Sequence, residues 1–198
     1  MSILFWKSVR IKLNDKLFFK IADLGNACFT YKHFTEDIQT REYRSPEVLI
    51  GHEYFSNTDI FSLACTVYEM LTNNFLFKPK KIPGIKKDED HLFQMLQALG
   101  PIDKDFATTG KQSAELFNKK GRLLNGNPKS IVPISRTLVE EYGYQPDAAV
   151  AIEQFLLPML AYDPKLRIDA RSCLQNKWLW TWLFIPITIL SYSYQSLY

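Results

Sequence analysis

The sequence predicts a mainly α-helical fold, α+β overall, on three observations. Residues 59–71 are apolar on nearly every face, which predicts a helix buried on most sides. Apolar residues recur at helical spacing through residues 90–99, and Gly100-Pro101 ends that pattern. Residues 17–22 are a short aromatic and β-branched run, which is typical of a strand.

The first half of the chain is predicted to contain a strand, a loop and a helix. The strand at residues 17–22 leads into a turn at Gly25. Residues 26–40 follow neither a helical nor a strand period, so they are predicted to form a structured loop. Three residues before the helix at 59–71 can cap its N-terminus: Ser56, Asn57 and Thr58.

The second half is predicted to be helical around an irregular insert. Residues 101–145 contain scattered Gly, Pro and Lys with two short helical patches, which indicates an irregular excursion. Residues 147–160 and 169–179 complete the helical set, and Asp163-Pro164 turns the chain between them.

Composition and charge are those of an ordinary soluble globule. The chain has 198 residues, of which 46% are hydrophobic and 23% are charged, and this length suits one domain. A net charge of +3 is too small to predict direct binding of nucleic acid, which needs clustered Lys and Arg. The basic run from Lys7 to Lys20 is the one candidate, and a solvated strand edge is the favoured explanation of it.

Cysteine usage indicates a reducing compartment. Three cysteines cannot all pair, and they lack metal-ligand spacing. They predict reduced thiols in the cytoplasm or nucleus: Cys28, Cys65 and Cys173. Basic residues interrupt the first apolar run, so the start does not have the pattern of a secretory signal.

Two motifs carry the chemistry of the chain. Ile21-Ala22-Asp23-Leu24-Gly25 is followed, after the length of an activation loop, by Tyr43-Arg44-Ser45-Pro46-Glu47. Together they resemble the second half of a protein kinase, from the Asp-Leu-Gly motif onward. The fold that this resemblance implies is a truncated kinase-like large lobe without small lobe or catalytic loop.

Further blocks narrow the resemblance to the SR-protein-specific kinases, which phosphorylate serines in Arg-Ser repeats of splicing factors. The match covers about residues 19–179. The blocks occur in the family's order, as Asp23-Leu24-Gly25-Asn26-Ala27-Cys28, Asp37-Ile38-Gln39-Thr40-Arg41, Asp88-Glu89-Asp90-His91, Phe117-Asn118-Lys119-Lys120-Gly121 and Phe155-Leu156-Leu157-Pro158-Met159-Leu160.

The resemblance implies ATP and Mg²⁺ as cofactors, with Asp23 at the position of the metal-binding aspartate. The sequence alone also allows Asp23 to be a turn or cap residue. Residues 1–198 contain no Gly-rich loop, no Val-Ala-Ile-Lys strand and no His-Arg-Asp catalytic loop. No catalytic base or nucleotide-binding lysine is therefore assigned, and Asp23 alone does not make a competent site.

The resemblance assigns other residues to substrate binding or to structure. Thr40 and Arg44 belong to the substrate platform, although Arg44 could equally be an ordinary surface residue. Glu47 and Arg167 are predicted to form a buried ion pair, against the alternative of two solvated charges. Asp59 is expected to be a buried carboxylate whose usual hydrogen-bond donors, in the catalytic loop, are absent.

Asp90 matches one acid of the groove that draws Arg-rich substrates onto these kinases. Two other groove acids are replaced by Asn74 and Gln97, which predicts weaker docking. The partners implied are Arg-Ser-rich splicing proteins, with no direct nucleic-acid contact.

The C-terminal tail stands apart from the rest of the sequence. Residues 178–198 contain no charged side chain, but the apolar run is shorter than a membrane span and contains Pro186. A nonhomologous end is the favoured interpretation, and a membrane span or a membrane-surface contact are the alternatives. The predicted organisation is a lead-in at 1–18, a partial kinase domain at 19–179 and an apolar tail at 180–198.

Two functions are compatible with the sequence. One is a serine/threonine kinase of the SR-protein type, represented here by a fragment that is inactive alone. The other is a noncatalytic kinase-lobe module that binds Arg-rich partners.

Overall fold

The computed structural model describes residues 20–179. Within this range the chain consists of α-helices, short 3₁₀ turns and connecting loops. The helices are α1 (Pro46–Ile50), α2 (Thr58–Thr72), α3 (Lys87–Leu99), α4 (Lys104–Ala107), α5 (Ser113–Leu116), α6 (Ile134–Tyr142), α7 (Pro146–Leu156) and α8 (Ala170–Leu174). The 3₁₀ turns are Leu24–Asn26, Arg41–Tyr43 and Leu157–Leu160. The mainly α prediction is confirmed.

The β component of the prediction is not found in the described part of the chain. Residues 20–22 are not in a strand, and residues 17–19 lie outside the described range. Between residues 20 and 179, β-pairing is limited to isolated bridges, such as Phe29 with Lys32 and Phe117 with Leu123.

The chain divides into two units between Phe34 and Thr35. In the first unit, residues 20–34 are mostly exposed, and Phe29 stacks on Tyr31 with ring centroids 5.1 Å apart. The second unit contains the eight helices described between residues 20 and 179, and the hydrophobic core. Its largest fully buried side chains come from six helices, the 3₁₀ turn at Leu157–Leu160 and the loop after α2: Leu49, Ile50, Phe61, Phe77, Leu92, Met95, Leu116, Ile134, Leu138, Ile152, Leu156 and Met159.

Helix α2 confirms the helix predicted at residues 59–71, but it is buried on part of its surface rather than on most sides. Phe61, Ala64 and Cys65 are almost fully buried, whereas Leu63 and Met70 are 47% and 64% exposed. Asn57 occupies the N-cap position, but its side chain forms no capping bond and instead donates to the Pro164 carbonyl.

Helix α3 begins three residues before the predicted start and ends where Gly100 was expected to stop it. Gly100 has φ of 90°, a conformation that favours glycine. Three acids, Asp88, Glu89 and Asp90, lie in its first turn, where the helix dipole stabilises negative charge.

The insert at residues 101–145 contains three helices rather than two patches. Helix α6 packs against α7, and Ser135 of α6 donates to Glu153 of α7. Ile134 and Leu138 of α6 are buried one turn apart. The predicted helix at 147–160 is confirmed as α7 followed by the 3₁₀ turn at Leu157–Leu160.

The predicted helix at 169–179 is interrupted. Helix α8 ends at Leu174, and the helical conformation resumes at residues 177–179. Among residues 20–179, no helix is long and apolar enough to cross a membrane. The tail at 180–198, the subject of the membrane alternatives, lies outside the described residues.

Candidate functional site

The segment from Gln39 to Ser45 is fixed by the side chain of Gln39. Its Nε2 donates to the Thr58 carbonyl at 2.9 Å and to Ser62 Oγ at 2.7 Å, both on α2. Its Oε1 accepts from the backbone N–H of Ser45 at 2.9 Å and from Ser45 Oγ at 3.1 Å. Gln39 has φ of 66°, which is unfavourable for a residue with a side chain, so these bonds stabilise a strained backbone.

Arg44 holds the same segment from its other end. Its Nη2 donates to the Gln39 carbonyl at 2.9 Å, and its Nη1 lies 2.7 Å from Asp37 Oδ1. The Arg44 side chain is only 17% exposed, whereas Asp37 is 78% exposed. The geometry therefore places Arg44 as a support of the loop, while Thr40 between them is exposed to solvent.

The 3₁₀ turn at Arg41–Tyr43 connects this segment to helices α2 and α3. Arg41 forms an ion pair with Asp88 in the first turn of α3. Tyr43 Oη donates to Glu69 Oε2 on α2 at 2.6 Å. Partial burial and the Glu69 carboxylate raise the pKa of Tyr43, so this hydroxyl remains a donor.

The predicted ion pair between Glu47 and Arg167 is present, with both side chains fully buried. Arg167 Nη1 and Nη2 each donate to one Glu47 carboxylate oxygen at 2.7 Å, and Thr58 Oγ1 adds a third donor at 2.8 Å. Further guanidinium N–H groups donate to the carbonyls of Asn57, Ala161 and Tyr162. The pair joins α1 to the loop before α8 and leaves neither charge unpartnered.

Asp90 lies in the first turn of α3 beside a small pocket. Its Oδ2 accepts from the Lys80 backbone N–H at 2.7 Å and from Gln94 Nε2 at 2.9 Å. Among the described residues, Asp90 Oδ1 has no hydrogen-bond partner, so it can accept a bond from a ligand. The pocket has a volume of about 150 Å³, and its walls carry two acids and no base: Ile82, Ile85, Glu89, Asp90, Phe93, Asn125 and Gly126.

Glu89 is nearly completely buried at the edge of this pocket. Its Oε1 accepts from the Asn125 backbone N–H, and its Oε2 accepts from Asn125 Nδ2, both at 2.6 Å. No cation pairs with Glu89 within residues 20–179, so the two donors of Asn125 stabilise its charge.

Residues 7–179 match the protein kinase domain family. The chain belongs to the protein kinase family. Proteins named SRSF protein kinase and SRPK are among its relatives within that family, in agreement with the resemblance that the motif order indicated. The kinase chain is 45% identical over 165 residues to SRSF protein kinase 3 of Homo sapiens, a match that covers 83% of this chain and 29% of the relative.

Protein kinases of two further organisms match the chain over a similar length. The kinase chain is 42% identical over 164 residues to protein kinase dsk1 of Schizosaccharomyces pombe, covering 83% of this chain and 30% of that protein. It is 43% identical over 163 residues to serine/threonine-protein kinase SRPK of Physarum polycephalum, covering 81% of this chain and 38% of that protein. The kinase chain thus spans less than two fifths of the length of these relatives.

Asp23, the predicted metal ligand, lies in the first unit. It is exposed, has φ of 60° and precedes the 3₁₀ turn at Leu24–Asn26. No group of three or more acidic, histidine or cysteine side chains that could hold a metal ion occurs within residues 20–179. Mg²⁺ that accompanies phosphates usually takes only one or two protein carboxylates and completes its six ligands with phosphate and water oxygens. Asp23 stays a prediction for one such carboxylate.

The expectation that Asp59 is buried is wrong, because the residue is exposed in the first turn of α2. Its carboxylate has no hydrogen-bond or ion-pair partner in the described part of the kinase chain. Partial desolvation nevertheless raises the pKa of Asp59. Solvent replaces the missing donors, so Asp59 does not impose the cost of a buried orphan charge.

The two replaced groove acids have other contacts. Asn74 Oδ1 accepts from Lys78 Nζ at 2.8 Å, and its Nδ2 donates to the Thr72 carbonyl at 3.3 Å. Gln97 accepts a backbone bond from Val132. Neither residue supplies a negative charge beside Asp90.

Sequence reasoning missed Gln39 and the bond between Glu89 and Asn125. No sequence pattern marks Gln39 as important, because its role depends on a positive φ and on partners about 20 residues away in α2. Asn125-Gly126 was readable as a turn, but its pairing with Glu89 spans 36 residues.

Proposed function

We propose that this chain is the substrate-facing part of a serine/threonine kinase domain that phosphorylates Arg-Ser-rich splicing proteins with ATP. The observation that supports it best is that the segment around Thr40 is joined to the first turn of α3. Arg41, next to exposed Thr40, pairs with Asp88, and Asp88 lies in the same acidic helical turn as Asp90. A substrate could therefore present its serine beside Thr40 while a basic side chain reaches Asp90.

The residues of the platform have distinct roles in this proposal. Gln39 and Arg44 hold the backbone of the segment in place before any substrate arrives, which reduces the ordering cost of binding. Asp90 Oδ1 accepts a guanidinium N–H, and the absence of a basic residue in the pocket wall favours a cationic side chain. Asp23 is the position we propose for one ligand of the Mg²⁺ that accompanies ATP. The cytoplasm and nucleus are the proposed locations.

We expect the purified 198-residue chain to transfer no phosphate to an Arg-Ser peptide. The sequence contains no His-Arg-Asp loop, and loss of the general base alone lowers the rate by about 10²–10⁴. The measurement is transfer of labelled phosphate from ATP in the presence of Mg²⁺, with Asp23→Ala as the background. Transfer by the parent chain above that background would contradict the expectation.

A second candidate is a noncatalytic binding module, which is favoured by the retained acidic turn in a chain without a catalytic loop. An experiment that mixes this chain with a separate polypeptide distinguishes the two functions. That polypeptide carries the Gly-rich loop, the Val-Ala-Ile-Lys strand and the His-Arg-Asp loop. Phosphate transfer restored by mixing supports the kinase role. Peptide binding without restored transfer supports the binding module.

Replacing Asp90 with Asn should weaken binding of a fluorescent Arg-Ser peptide by up to about fivefold, since an exposed charge pair contributes at most about 1 kcal/mol. The dissociation constant is measured by anisotropy at low and high salt. Asp147→Asn is the matched control, because Asp147 is an exposed acid in the first turn of α7. An equal loss of peptide affinity in Asp90→Asn and Asp147→Asn would show that α3 does not bind the peptide.

A further inference from the structure

The loop at residues 117–127, here called the Asn125 loop, packs into the core through Phe117 and Leu123, and its tip is hydrogen-bonded to the Glu89 side chain of α3. Within the loop, Phe117 pairs with Leu123, and the Leu124 N–H donates to the Leu116 carbonyl at 3.0 Å. Beyond this pairing, the two Asn125 donors on Glu89 tie the tip of the loop to the first turn of α3. The amide group of Asn125 is therefore a structural contact.

The same amide has the sequence context that favours intramolecular cyclisation. Asn125 precedes Gly126, and residues 1–198 contain no other Asn-Gly pair. Gly126 is exposed, and a methyl group built on its Cα would meet nothing within 4 Å. Its backbone N–H donates no hydrogen bond to any described residue. The attacking nitrogen is thus unhindered by a side chain and has no bond to break.

We propose that Asn125 is a deamidation site that Glu89 restrains, and that its conversion releases the Asn125 loop from α3. Gly126 N loses its proton to solvent and bonds to Asn125 Cγ. The Cγ–Nδ2 bond breaks, and Nδ2 leaves as ammonia after taking a proton from water. A water molecule then opens the five-membered ring and gives aspartate or isoaspartate at position 125.

Glu89 restrains the first step because it holds the side-chain amide of Asn125, which must react, and also the backbone N–H of the same residue. Nδ2 must leave Glu89 Oε2 before Cγ can turn toward Gly126, and the Asn125 N–H is bonded to the other oxygen. Bonds to a charged acceptor are about twice as strong as neutral ones. The rate should therefore depend on the charge of residue 89.

The product cannot restore the contact. Aspartate at 125 replaces a donor with a second carboxylate facing a nearly fully buried one. Like charges at this separation repel, and the pair favours uptake of one proton. The loop should consequently separate from α3 at neutral pH, and the pocket that Asn125 and Gly126 line should open.

The chemical test follows the conversion in the full chain at mildly alkaline pH and physiological temperature. Peptide mapping by mass spectrometry measures the gain of one mass unit and the isoaspartate form at position 125. Asn127 is the internal control, because Pro128 has no N–H with which to form the ring. We expect conversion at Asn125 and none at Asn127, with a rate about tenfold higher in Glu89→Gln. Conversion no faster at Asn125 than at Asn118, or an equal rate in Glu89→Gln, would overturn the proposal.

The structural test uses Asn125→Asp as a permanent product. Its melting temperature should be about 4–8 °C below that of the parent at neutral pH, and the difference should shrink at mildly acidic pH, where one proton bridges the carboxylates. Asn127→Asp is the matched control, since Asn127 contacts Leu123 and not Glu89. Equal melting temperatures for Asn125→Asp and the parent at neutral pH would show that the contact does not hold the loop.

Discussion

Replacing Arg167 with Ala should lower the free energy of unfolding by about 3–5 kcal/mol, because it leaves the buried Glu47 carboxylate without its cation. Glu47 retains one hydrogen bond, from Thr58 Oγ1, and three backbone carbonyls lose their guanidinium donor. Phe61 also loses the guanidinium that lies 5.2 Å from its ring centroid. The measurement is the urea midpoint of the full chain, followed by circular dichroism.

The matched control is Arg136→Ala. Arg136 pairs with Glu140 one turn away on α6, and both side chains are more than half exposed. An exposed pair at this spacing contributes only about 0.3–0.5 kcal/mol. A double mutant with Glu47→Gln should recover part of the loss, because it removes the stranded charge. Equal midpoints for Arg167→Ala and Arg136→Ala would show that the buried pair does not stabilise the fold.

The helical framework was predictable because apolar spacing determines which face of each helix is buried. Helix α3 follows from that pattern, and Gly100 marks its end, whereas α2 was predicted from a run that is apolar on nearly every face. Helix α6 was harder to predict, since it is nine residues long and is stabilised by packing on α7. Short helices depend on tertiary contacts more than on local propensity.

Site residues that belong to a family motif were predictable from the sequence. Site residues whose role depends on a contact with a residue far away in the sequence were not. The ion pair of Glu47 with Arg167 was inferred from family resemblance across 120 residues of sequence. Gln39 and Glu89 depend on partners that no spacing rule connects to them. Asp59 was expected to be buried by the same resemblance, but solvent reaches it in the described structure.

Acid should destabilise this kinase chain through His91, at a pH well above that at which most carboxylates titrate. His91 is fully buried on α3, and its ring lies 5.5 Å from that of Phe77. Neither ring nitrogen has a hydrogen-bond partner within the described residues. Burial, with the positive charges of Arg41, Arg44 and Lys87, lowers the pKa of His91 to about 3.

The sign of the pH dependence follows from the two states of His91. In the unfolded chain the pKa is about 6.5, so below that pH the unfolded state binds a proton that the folded state excludes. The neutral imidazole contributes its full stability above about pH 6.5. That contribution declines by roughly 1.4 kcal/mol per pH unit as the pH falls toward the folded-state pKa of about 3.

His91→Leu should remove this dependence, because leucine fills the site without a titrating group. Urea midpoints are measured from neutral to moderately acidic pH, and the stability of the parent relative to His91→Leu should be constant above pH 6.5 and fall below it. His52→Gln is the control, since His52 is partly exposed and its Nδ1 bonds to the Glu53 carbonyl. Parallel pH profiles for the parent and His91→Leu would mean that water or a carboxylate reaches the ring and that His91 titrates near its ordinary pKa.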